Sequence, residues 1–213
     1  MVWLKMGEVE PCRNHDCYVP SCIIVFLCLW TGAGSTTVKL YRHLIPEEPI
    51  VTDAVCVLSV SVNDNVTGVF TLHQKDPDGI VKILGDVNGL SPGLHGFHIH
   101  KLGDLSKGCM STGDHFDVGV GSAHGGRQDV WRHVGDLGNV EADTTGESQF
   151  KIHDSVISLN GPNSVIGRSF IVHQQEDDLG TGSNAESRKT GNSGSIVACC
   201  VIGIGAPRDE DSP

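Results

Sequence analysis

The sequence predicts an all-β domain, a sandwich or barrel of short strands joined by turns. Three observations point there. Only 5% of residues are aromatic and 27 of the 213 are glycine, a turn-rich profile more than a helical one. The apolar runs are short, and turn signals separate them at the spacing of a sandwich or barrel.

The patterned domain covers 51–205. Residues 1–50 form an amino-terminal extension and 206–213 an acidic tail. Within the extension, Cys22–Trp30 (CIIVFLCLW) is too short to span a bilayer. It has the length of a signal-peptide core, and Gly32-Ala33-Gly34-Ser35 offers small residues for cleavage, so a signal peptide would end at about 34. The segment before it is long, and Glu8, Glu10 and Asp16 dilute Lys5 and Arg13, which is atypical for a leader. The sequon Asn65-Val66-Thr67 adds slightly to a secreted, extracellular reading; the alternative is a cytoplasmic protein with an unprocessed extension.

The strands follow in order. Ala54–Val62 (AVCVLSVSV) partly alternates, and Val69–His73 comes after the Asn63-Asp64-Asn65 turn. Asp76-Pro77-Asp78-Gly79 turns the chain into Ile80–Leu84. Phe150–Leu159 runs into Asn160-Gly161-Pro162-Asn163, and Val165–His173 and Ile196–Ile204 are the last apolar runs. Two irregular stretches, Lys101–Arg132 and Gln174–Ser195, interrupt the pattern. Loops this long tend to be functional. The tail Ala206–Pro213 reads as disordered.

Chemistry concentrates on six histidines and one aspartate: His98, His100, His115, His124, His133, Asp136 and His173. Neutral imidazole suits copper and zinc, and a carboxylate can complete a tetrahedral zinc site. His98 and His100 are two apart, so a strand would put both on one face. His115, His124 and His133 are spaced nine and nine through Gly-, Asp- and Ser-rich loop. His133 and Asp136 can approach one ion from a turn-like stretch. His15, His43, His73 and His153 read as ordinary surface or core residues, and His95 as a structural hydrogen-bonder beside the site. One His-x-His alone would be weak evidence; seven spaced ligand types completing two four-coordinate sites are hard to reach by chance.

Eight cysteines divide the chain. Cys12, Cys17, Cys22 and Cys28 precede the domain; Cys56, Cys109, Cys199 and Cys200 lie within it. A bridge from Cys109 to the last strand would pin the first long loop. Neighbours on a strand face opposite ways, so only one of Cys199 and Cys200 can point at Cys109, and spacing does not choose between them. Cys56 reads as a buried free thiol in a core strand. A net charge of −11 without a basic stripe argues against a nucleic-acid partner.

Gly93-Leu94-His95-Gly96-Phe97-His98-Ile99-His100 and Gly191-Asn192-Ser193-Gly194-Ser195-Ile196-Val197-Ala198-Cys199 resemble the two signatures of the copper/zinc superoxide dismutases. The likeness runs from about Ala54 to Gly205. It implies an eight-stranded Greek-key β-barrel, an immunoglobulin-like sandwich, with two long functional loops. Copper would be held by His98, His100, His115 and His173, and zinc by His115, His124, His133 and Asp136, with His115 bridging the two. Asp177 matches the carboxylate that ties a copper-bound His to a zinc-bound one. Lys189, with Arg188 beside it, would guide superoxide, and the metal-bound histidines His98, His100, His115 and His173 would form the catalytic centre. The resemblance chooses Cys199 as the partner of Cys109, leaves Cys200 without a role, and implies a homodimer through the end of the last strand near Ile202–Ile204.

The chain departs from the family at Ile196, where the signature has an arginine beside the copper. Ala185 replaces a charged loop residue, and one extra residue separates His115 from His124. None of these removes a ligand. The expected function is dismutation of superoxide to dioxygen and hydrogen peroxide, with substrate guidance weakened by Ile196. The alternative is a non-catalytic copper/zinc-binding protein or a copper-chaperone relative. Against a chaperone stand the intact copper set and an extension too short for a Met-x-Cys-x-x-Cys domain.

Overall fold

The computed structural model describes residues 49–208, apart from 59, 62–64 and 120–122, and four two-residue strands between 27 and 40. The chain divides into two units at 48/49. In the first, Leu27–Cys28 pairs with Lys39–Leu40 and Thr31–Gly32 with Ser35–Thr36, both antiparallel. Cys12, Cys17, Cys22, His15, His43, the proposed cleavage point after residue 34 and the tail from 209 lie outside the described residues. Among the described residues no helix is long and apolar enough to cross a membrane.

The second unit is built almost wholly of antiparallel strands. They are β1 (Asp53–Val57), β2 (Val60–Ser61), β3 (Thr67–His73), β4 (Val81–Asn88), β5 (Gly93–His100), β6 (Ser106–Cys109), β7 (Asp136–Ala142), β8 (Glu147–Asp154) and β9 (Ser169–His173), followed by the short helix α1 (Ser187–Thr190) and by β10 (Ile196–Val201) and β11 (Gly203–Ile204). One sheet has the order β8-β4-β3-β1-β11 and the other β7-β5-β9-β10-β2. The first and last apolar runs each divide between the sheets. β10 pairs with β9 and β2, whereas β11, one residue further on, pairs with β1. With β1–β2 and β10–β11 each taken as one bent strand, and the short β6 set aside, eight strands make the sandwich, as expected.

Period-two alternation explains the packing. Along β4, Val81, Ile83, Gly85 and Val87 face inward. β8 turns Ser148, Ile152 and Asp154 inward and leaves Glu147, Gln149, Lys151 and His153 exposed. The centre is a cluster of Phe70, Phe97, Phe150 and Phe170, with Phe97 and Phe170 stacked at 4.9 Å. Gly85 makes room for it, since a Cβ there would sit 2.2 Å from the Phe150 ring. β7 was not foreseen, because its Gly135–Gly138 opening reads as turn; Asn139, Val140, Glu141 and Ala142 continue it as a strand against β5.

Two disulfides are present. Cys109–Cys199 joins β6 to β10 across 90 residues. Cys56–Cys200 joins β1 to β10 across 144 residues, and this corrects the reading of Cys56 as a free thiol. Alternation along β10 sends Cys199 to the outer face toward Cys109. It sends Cys200 into the main core, where Cys56 also lies. The second bridge thus links the two sheets through the interior.

Candidate metal centre

β5 decides where the site lies. Phe97 and Ile99 point into the core, so His98 and His100 point to the outer face of the second sheet, beneath the two long loops. Asp136 opens β7 opposite His98 in register. His173 ends β9, where a register shift between Val172 and His173 marks an irregularity beside the site. A single bridge pairs His115 with His100. His124 is anchored by its N–H to the Arg188 carbonyl at 2.8 Å, which ties the first long loop to α1 of the second.

The seven candidates come together. His115, His124, His133 and Asp136 form one group whose ligand atoms lie within 4.8 Å of one another, and His98, His115 and His173 form another. His115 belongs to both. His100 stands beside the second group, its ring centroid 5.1 Å from that of His115 and 5.8 Å from that of His173. All seven are buried except His133, which is partly exposed. A third group, His98, His124 and Asp177, is a hydrogen-bonded bridge: His98 Nε2 donates to Asp177 Oδ2 at 2.9 Å and His124 Nε2 to Oδ1 at 2.7 Å.

Hydrogen bonds set which nitrogen of each ring is free. His98 uses Nε2 on Asp177, leaving Nδ1. His100 Nδ1 donates to the Thr112 hydroxyl at 3.1 Å, because that hydroxyl gives its own proton to the Cys109 carbonyl. His173 Nδ1 donates to the Gly194 carbonyl at 3.1 Å. What remains is His98 Nδ1, His100 Nε2, His115 Nε2 and His173 Nε2, all buried without a hydrogen-bond partner. Buried polar atoms are seldom left unpaired. Four converging imidazole lone pairs fit a cation of nitrogen-preferring type, such as copper. Burial pushes His98, His100 and His173 toward the neutral form that a metal needs. It is the main cause that lowers the pKa of His98 to about 3, of His100 to about 2 and of His173 to about 4.

The other set converges on one carboxylate. Asp136 Oδ1 lies 2.7 Å from His115 Nδ1 and 3.0 Å from His124 Nδ1, and Oδ2 lies 3.1 Å from His133 Nδ1. Burial alone would raise the Asp136 pKa, but the hydrogen bonds with the three histidines hold it below the ordinary carboxylate range. Burial would lower His124; the carboxylates of Asp136 and Asp177 on its two nitrogens overcome this and lift it to about 9. Three imidazoles and a carboxylate at one point are a tetrahedral zinc donor set.

Several supports were invisible in the sequence. Arg132, buried, donates to the carbonyls of Val134 and Asp136 and pairs with Asp154, so it clamps the loop that carries His133. The Asn139 side chain holds both the N–H and the carbonyl of Asp177, at 2.7 and 2.8 Å. Gly191 lies against the Asp177–His124 bridge: a Cβ there would stand 1.8 Å from Asp177 Oδ1 and 2.5 Å from His124 Nε2, and its φ is +68°. Gly191→Ala should therefore push Asp177 off His124 and lower zinc affinity by roughly ten- to a hundredfold, as loss of such a supporting contact does. Competition with a chromophoric chelator measures this; unchanged zinc affinity would show that the bridge does not support the zinc set.

An open cleft of about 570 Å³ reaches His100, His115 and His173, and Lys189, Asp114 and Glu186 also line it. Arg188 does not line it. Nor does Ile196, which packs against Cys109, Ile171 and Cys199. His95 behaves as expected: buried, with Nδ1 2.7 Å from the His173 carbonyl.

Residues 66–202 match the family model described as copper/zinc superoxide dismutase. The chain belongs to the copper/zinc superoxide dismutase family. A superoxide dismutase [Cu-Zn] of Onchocerca volvulus is 50% identical over 159 residues, which is 73% of this chain and 98% of the relative. A crystal structure of the clock protein EA4 is similar with a TM-score of 0.67 and 46% identity, covering 72% of this chain and 95% of that one. The two buried donor sets, sharing His115, lie inside the segment that carries the copper/zinc superoxide dismutase likeness.

Proposed function

We propose that this chain dismutates superoxide, with copper held by His98, His100, His115 and His173 and zinc held by His115, His124, His133 and Asp136. The observation that carries this reading is the set of four buried ring nitrogens without partners, each with the opposite nitrogen of its ring already engaged. Copper held there would supply one-electron exchange, so that one superoxide is oxidised to dioxygen and a second, taking up two protons, is reduced to hydrogen peroxide. The chain's own residues do the rest. Asp177 keeps His98 and His124 oriented through opposite oxygens. Asp136 gathers the zinc histidines and also accepts the N–H groups of Gly125 and His133, so the loop and the donor set form as one unit. His115 lines the cleft and is the group that can hold a proton at Nε2 for the reduced product.

Lys189 is the guiding cation of this reading, with Arg188 contributing at longer range. Ile196 offers the anion neither charge nor hydrogen bond, and its packing on the Cys109–Cys199 bridge leaves guidance weakened. Ile196→Arg is expected to raise the rate per copper at low salt by roughly tenfold, the low end of what a focusing field provides, with the gain shrinking as salt rises. Superoxide decay after pulse radiolysis, with copper quantified, tests both statements. No decay in either form with copper bound would move the assignment to the second reading that Ile196 favours, a non-catalytic metal-binding protein.

The chain is also proposed to be secreted and to pair as a homodimer. Two internal disulfides favour an oxidising compartment. At the end of the last strand Ile202 belongs to the core, whereas Ile204 is 68% exposed and is the apolar residue available to a second copy.

A further inference from the structure

The mouth of the cleft carries more negative than positive charge. Among the described residues lining it, Lys189 is the one Lys or Arg, and Asp114 and Glu186 line it as well. Lys189 Nζ lies 4.0 Å from Asp114 Oδ1, both side chains being largely in solvent. The Asp114 main chain is held firmly: its carbonyl accepts the Lys101 N–H at 2.9 Å, and His115 next to it bridges to His100. The carboxylate is therefore set at the lip of the cleft, on the residue before the shared histidine. Glu186 lies three residues before Lys189, and its Oε1 accepts the Thr190 hydroxyl at 2.9 Å.

We propose that Asp114 is a specificity-determining residue of this cleft: its carboxylate cancels the field of Lys189 and lowers the preference for an anionic substrate. The proposal rests on the reading of the cleft as the path of superoxide. A lone cation at a mouth concentrates anions. A carboxylate 4.0 Å away turns that charge into a short dipole, whose field decays faster with distance. An anion passing about 6 Å from a unit charge in water changes its local concentration by about threefold. The pair is exposed and adds little to folding, so the charge can be removed without disturbing the sandwich. Ile196 does not supply a second cation to mask the effect.

The test is Asp114→Asn in the full chain loaded with copper and zinc, both metals quantified. Two quantities are read across ionic strength: superoxide decay per copper, and the affinity of the copper for azide, followed by visible absorption. At low salt the rate should rise about threefold and azide should bind about threefold more tightly. Both gains should vanish near 1 M salt, where the screening length is about 3 Å. Lys189→Gln should move both quantities the other way. If Asp114→Asn left rate and azide affinity unchanged at low salt, the proposal would be overturned, and a gain that persisted at high salt would overturn it too. If no form consumed superoxide while azide affinity still followed the substitutions, the dismutation reading would fail and the role of Asp114 in selecting anions would stand.

Discussion

His115→Ala is expected to weaken both metal sites at once and to abolish dismutation. The ring stands between the two donor sets. Its Nδ1 lies 2.7 Å from Asp136, and its Nε2 is buried without a partner on the side of His98 and His100. The ring centroids of His98, His100, His124 and His133 lie at 4.2, 5.1, 5.2 and 5.6 Å from its own. Among the described residues, His115 is the one shared by the two donor groups. Loss of a mere supporting contact costs ten- to a hundredfold in metal affinity, so loss of a ligand should cost each site at least about a hundredfold. Asp136→Ala should behave differently. It removes a proposed zinc ligand and the anchor of Gly125 and His133, while the hydrogen bonds that orient His98, His100 and His173 do not involve it. Zinc should be lost and copper largely kept. Elemental analysis of purified variants distinguishes the two patterns, and full occupancy of both metals in His115→Ala would refute the shared site.

The second large effect is on stability. The double variant Cys56→Ala/Cys200→Ala is expected to melt roughly 10 °C below the parent. The bridge closes 144 residues of chain, within which Cys109–Cys199 already closes 90. Even with the inner link in place, the added constraint on the unfolded chain is worth about 4 kcal/mol in the chain-entropy account. For a domain of this size each kcal/mol moves the melting temperature by about 2–4 °C. Calorimetry on metal-free protein isolates the effect from metal binding. Peptide mapping without reduction should recover a Cys56–Cys200 peptide alongside Cys109–Cys199. An unchanged melting temperature would mean that the second bridge adds nothing to the folded state.

The same two cysteines show where sequence reasoning stops. Alternation along a strand establishes that Cys199 and Cys200 face opposite ways. It does not say what stands opposite the one that faces inward. That depends on β1 and β10 lying in different sheets that meet across the core, a relation between residues 144 apart. Ile196 is a parallel case. Its identity shows that a cation is missing, but only the packing shows that the side chain lies against the Cys109, Ile171 and Cys199 cluster and does not line the cleft, which Lys189 does.

What the sequence determined by itself is the chemistry and its local geometry. His98 and His100 share a face because a strand has period two. The glycine-rich spacing of His115, His124 and His133 marks loops that close over them. Turn residues between short apolar runs establish the sandwich. What only the tertiary structure decided is the support of that chemistry. Arg132 reaches Asp154, Asn139 holds Asp177 across 38 residues, Thr112 sets the proton on His100, and Gly191 leaves room for the Asp177–His124 bridge. None of these has a local signature, since an arginine, an asparagine, a threonine or a glycine in a loop has many uses. Their roles come from contacts between segments distant in sequence, and those exist only once the two loops have folded down on the outer face of the sheet.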